Sequence, residues 1–80
     1  MLNPRDADAW YLKGEALYSQ KKYNEAIQAL DKAIDINSQD ADAWYLKSMA
    51  LDDLGKHDEA TSAYNKSIEI DPEIEDEWWY

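Results

Sequence analysis

Residues 6–13 read DADAWYLK and residues 40–47 read DADAWYLK again, so an eight-residue word returns with Trp10 moved to Trp44, a step of 34. The same step carries Ala16, Leu17, Glu25, Ala26, Ala29, Lys32, Ile34 and Ile36 onto Ala50, Leu51, Glu59, Ala60, Ala63, Lys66, Ile68 and Ile70, and it carries Trp44 onto Trp78. Matches spread over a whole period mark an internal repeat. A period of this length holds two helices of about a dozen residues and two turns, the dimensions of a helical-hairpin repeat.

Spacing within the period agrees. Trp10, Gly14 and Leu17 recur at helical intervals, as do Trp44, Ser48 and Leu51, so one amphipathic helix is expected within residues 7–20 and another one period later. Asp6 and Asp40 stand where an N-cap belongs, and Asp8 and Asp42 add an acid to the first turn, where the helix dipole favours it. Second helices are expected from about residue 24 to 36, with Ala26, Ala29, Leu30, Ala33 and Ile34 on one face, and from about 58 to 70, with Ala60, Ala63, Tyr64, Ser67 and Ile68. Turns fall at 20–23 and 54–57, where Gly55 suits a left-handed helix terminus. Short side chains at Gly14, Ala26 and Ala33 let antiparallel helices approach, and Trp10 and Tyr23 fill the wider gaps.

Those residues carry a resemblance. Trp10, Gly14, Leu17, Tyr23, Ala26, Leu30 and Ala33, followed by Trp44, Ser48, Leu51, His57, Ala60, Tyr64, Ser67 and Pro72, are similar to the tetratricopeptide pattern over nearly the whole chain. Ser38 stands where the family closes a repeat with proline, Ser48 and Ser67 replace Gly and Ala, and Lys13 and Lys47 take a commonly apolar place with their stems along the helices. The resemblance implies an all-α fold, an α-solenoid of stacked antiparallel helical hairpins in a right-handed arc. One domain is expected, with repeat one at 7–40, repeat two at 41–74, a partial third repeat at 75–80, and the tail of a preceding repeat at 2–6. Such a chain reads either as a piece excised or designed from a longer array, or as a short natural protein with an incomplete cap.

Composition excludes several function classes. Eighteen acids against eight bases give a net charge of −10, which repels phosphate backbones and anionic headgroups, so neither nucleic acid nor membrane is an expected partner. There is no cysteine for a disulfide or a thiolate ligand, and no basic-then-apolar leader follows Met1, which fits a cytoplasmic protein. Catalysis lacks its parts. His57 is the single histidine and is expected to pack between helices at a turn, as Tyr23 does one period earlier; no glycine-flanked serine elbow or glycine-rich phosphate loop exists. Glu69, Asp71, Glu73, Glu75, Asp76 and Glu77 lack the spacing of a calcium loop and read as a solvated acidic face. Asn65 to Ser67 matches a glycosylation sequon only by pattern, within a helix. No cofactor, metal or enzymatic activity is expected.

A binding surface is the remaining candidate. The resemblance implies that first helices line a groove for an extended peptide or partner helix, through Asp8, Tyr11, Leu12, Glu15, Tyr18 and Ser19, then Asp42, Tyr45, Leu46, Met49, Asp52 and Asp53, then Asp76, Trp79 and Tyr80. Tyr11, Leu12, Tyr18, Tyr45, Leu46 and Met49 are expected to form a solvent-facing apolar strip, of the kind rigid aromatics make at interfaces. Tyr11 and Tyr45 have an alternative use as scaffold residues packed on the neighbouring repeat. Where some relatives clamp an acidic chaperone tail with bases and amides, this chain has Tyr11, Leu12, Glu15, Tyr45, Leu46 and Met49. The expected ligand is therefore apolar with basic flanks. A competing reading is a self-associating structural unit that stacks end to end or exchanges the segment Trp78, Trp79 and Tyr80 between copies.

Overall fold

A computed structural model describes residues 6–72. Trp78, Trp79 and Tyr80, the partial repeat at 75–80 and most of the tail at 2–6 lie outside those residues.

Four helices follow one another: α1 (Ala7–Ser19), α2 (Tyr23–Ile36), α3 (Ala41–Asp53) and α4 (His57–Ile70). Their starts follow from side-chain chemistry at the first helices. Asp6 Oδ1 accepts from the backbone N–H of Asp8 at 3.0 Å and of Ala9 at 3.3 Å, and Asp40 Oδ1 accepts from Ala43 N–H at 3.2 Å. These acceptors satisfy helix-terminal donors that would otherwise lack a partner. The second helices start at Tyr23 and His57, directly after the turn, and their N-cap residues Lys22 and Lys56 make no side-chain cap.

Both first helices end in the same way. Lys21 N–H donates to Tyr18 O and Lys22 N–H to Leu17 O, each at 2.9 Å; one period later Gly55 N–H donates to Asp52 O and Lys56 N–H to Leu51 O, again at 2.9 Å. This pair of bonds is a Schellman terminus and requires a left-handed residue. Gly55 supplies it at φ 83°, whereas Lys21 adopts φ 64° despite its Cβ.

The hairpins α1–α2 and α3–α4 stack through α2 against α3. The junction holds one core cluster, Leu30, Ala33 and Ile34 from α2 with Ala43 and Leu46 from α3, and Trp10, Tyr11, Tyr18, Trp44 and Met49 pack against it. A second cluster, Leu51, Ala60 and Ala63, joins α3 to α4 beneath Ile27 and Trp44. Gly14 is required by close approach: a Cβ there would stand 2.8 Å from Leu30 Cγ. Its counterpart Ser48 is tolerated because Tyr64 replaces Leu30, with its ring tilted against Tyr45 at 6.0 Å.

Candidate peptide-binding face

The face shared by α1 and α3 is built from positions one period apart. Tyr18, near the end of α1, donates its hydroxyl to Asp53 Oδ2 at 2.7 Å, tying the two first helices together across the repeat junction. Tyr23, the first residue of α2, braces the Tyr18 ring with a centroid separation of 5.4 Å. The hydrogen bond to Asp53, then burial and the Asp53 charge, push the Tyr18 phenol up to about 12. Tyr11, one turn from the other end of α1, is also raised; burial contributes most, followed by the charges of Glu15, Asp42 and Asp40. Burial and the hydrogen bond lead these shifts, and the neighbouring acids add to both.

The expected site residues divide. Tyr11, Glu15, Tyr18, Asp42, Tyr45, Met49 and Asp53 come from the two adjacent first helices, with Asp8 exposed in the first turn of α1. Tyr11, Tyr18 and Met49 are half-buried against the core, so they are scaffold as well as surface. Leu46 is a correction: it is 7% exposed and belongs to the core, because α3 turns this side toward α2. Leu12, one period earlier, is 59% exposed, so the two leucines do not share one solvent-facing strip. Trp10 and Trp44 are likewise only partly buried. Each carries a lysine ammonium over its ring, Lys13 at 5.3 Å and Lys47 at 5.4 Å, and Trp44 Nε1 donates to Ser38 O at 3.0 Å.

His57 also departs from expectation. It lies exposed at the start of α4, with Nδ1 2.5 Å from Asp52 Oδ1, instead of packing between helices as Tyr23 does. The imidazole is shorter than the Tyr23 phenol, and Asp52 replaces the Tyr18 ring against which Tyr23 leans. The contact between Tyr18 and Asp53 was not foreseen; its only sequence signal is their separation, one period plus one residue. Among the described residues no group of His, Cys, Asp or Glu could hold a metal ion, and no helix is long and apolar enough to cross a membrane.

Residues 1–67 match the family model described as "Anaphase-promoting complex, cyclosome, subunit 3". The crystal structure of MamA superposes with a TM-score of 0.86 at 39% identity, over 89% of this chain and 42% of the MamA chain. The chain therefore spans less than half the length of that relative. No curated protein matches it. Repeat period, hairpin stack and both matches agree: the chain belongs to the tetratricopeptide-repeat family, a family of protein-interaction modules, through the anaphase-promoting complex subunit 3 type of repeat.

Proposed function

We propose that this chain is a non-enzymatic interaction module that binds a peptide or helix of another protein on the face shared by α1 and α3, and that its ligand is apolar with lysine or arginine flanks. The observation that carries this reading is geometric: the Tyr18 hydroxyl is bonded to Asp53 across the two first helices, and the charges of Glu15, Asp42 and Asp40 act on Tyr11, so acids flank the tyrosine rings of this face. A cationic flank is favoured where the potential is negative, and an acidic tail is repelled. The rings of Tyr11, Tyr18 and Tyr45 offer apolar contact area with few torsions to freeze. The test compares two peptides with the same leucine–tyrosine core, one flanked by arginines and one by glutamates, by calorimetry at low and high salt. Only the arginine peptide should bind, more weakly as salt rises; equal binding of both would contradict the reading.

A second reading, self-association, is favoured by the exposure of Leu12 at a position whose counterpart, Leu46, is buried. A molar mass above that of the monomer in concentrated solution supports it; exchange of Trp78, Trp79 and Tyr80 would be one route.

A further inference from the structure

The two hairpins repeat a pocket as well as a fold. Trp10, Lys13 and Leu17 of α1 face Glu25, Gln28, Ala29 and Lys32 of α2 around a pocket of about 390 Å³. One period later Trp44, Lys47 and Leu51 of α3 face Glu59, Ser62, Ala63 and Lys66 of α4 around one of about 420 Å³. Six of the seven lining positions keep their residue, and only Gln28 becomes Ser62. On a helix of 3.6 residues per turn, Trp44, Lys47 and Leu51 lie on the side of α3 opposite Asp42, Met49 and Asp53, so these pockets are distinct from the face shared by α1 and α3.

Neither pocket owes its opening to an end of the chain. α2 and α4 both pack on α3 and not on each other, and Lys47 Nζ lies 2.6 Å from Asp31 Oδ1 of α2, so the second pocket stays open with a hairpin before it. The first stays open with a hairpin after it. Hairpins added at either end in the same register therefore leave both accessible.

Packing within each hairpin accounts for the Trp, Leu and Ala positions, but not for the charges. Half of the chain's eight bases stand at these pockets, two lysines against one glutamate in each, on a chain of net charge −10. Lys13 and Lys47 are held with their ammonium groups over the Trp10 and Trp44 rings. Lys32 and Lys66 make no ion pair among the described residues, although Lys66 is half-buried. Each pocket thus sets an apolar floor beside an unpaired ammonium.

We propose that this second face binds an acidic segment of a partner protein at two points one repeat apart, with an apolar side chain in each pocket and carboxylates on Lys32 and Lys66. The proposal is independent of the peptide face between α1 and α3. One apolar contact and one exposed ion pair do not repay the freedom lost on association, so a short peptide with a single glutamate-flanked core does not bind measurably. Two joined anchors bind, because the second event is intramolecular.

Amide NMR titrations with synthetic peptides test this. One peptide carries a single glutamate–leucine–glutamate core; the others join two such cores through glycine–serine linkers of increasing length. Joined peptides should shift Gln28, Lys32, Ser62 and Lys66 together and bind at least about tenfold more tightly than the single core, with affinity peaking at one linker length. Exchanging the peptide glutamates for glutamines separates pairing from general charge. Repulsion by the acidic chain predicts tighter binding of the glutamine peptide, whereas the lysines predict weaker binding. Lys32→Gln and Lys66→Gln should each weaken the joined peptide by about threefold, within the range of an exposed ion pair, with an unchanged circular dichroism melt. Absent shifts at those four residues, no gain from joining the cores, or a glutamine peptide that binds as tightly overturns the proposal and leaves the α1–α3 face untouched.

Discussion

Lys21 and Tyr18 are the residues at which the chain departs most from ordinary behaviour. Lys21 holds a left-handed conformation that its counterpart fills with glycine, and Gly55 has open space around its missing Cβ. Backbone preference alone therefore separates the two sites. Lys21→Gly should stabilise the fold by up to about 1 kcal/mol, and Gly55→Lys should destabilise it by about 1 kcal/mol, both read from chemical denaturation. Tyr18 has the other perturbed environment. Its phenol pKa is about 12 in the folded chain against 10.0 ordinarily, so the folded state holds this proton more tightly than the unfolded state. That stabilisation is complete below the ordinary value and is lost as pH rises through the folded one. Melting temperature should fall over that window in the unaltered chain. In Asp53→Asn, ultraviolet titration should show the Tyr18 phenol ionising nearer its ordinary value. An unchanged tyrosinate titration in the variant would mean that the bond to Asp53 does not set the pKa.

At the scale of elements, much was legible in the sequence because the information is local. Asp6 and Asp40 marked the starts of α1 and α3, and Gly55 marked the end of α3. The starts of α2 and α4 were placed one residue late, since Tyr23 and His57 follow lysines that cap nothing through their side chains. Surface assignment was harder, because it depends on which helix lies beside which. Leu12 and Leu46 occupy the same place in identical words, yet only Leu46 has α2 against it. No single-repeat pattern encodes that difference. Leu46→Ala should therefore cost about 2–5 kcal/mol, as truncation in a core does, while Leu12→Ala should cost less than about 1 kcal/mol in dilute solution, as surface changes do. Equal losses in denaturant melts would show that the hairpins are not stacked through α2 and α3. Asp40→Ala should remove about 1 kcal/mol through loss of the α3 cap.

Across the whole molecule, the two hairpins form one packed unit whose surface carries a large negative charge and a tyrosine-rich face. The charge was legible from composition. The alignment of acids around Tyr11 and Tyr18 was only partly so, because it needs α1 and α3 to lie side by side: Asp42 and Asp53 belong to the second repeat, while the phenols they influence belong to the first. An interface assembled from equivalent helices appears only when repeats stack, and the proposed ligand would contact both repeats at once. The most direct test of that claim is a two-dimensional amide NMR titration of the folded chain with the arginine-flanked leucine–tyrosine peptide. Shifts should concentrate at Tyr11, Glu15, Tyr18, Tyr45, Met49 and Asp53, on both first helices together; shifts confined to Gln28, Asp31, Asp35 and Ser62 on the second helices would contradict the account.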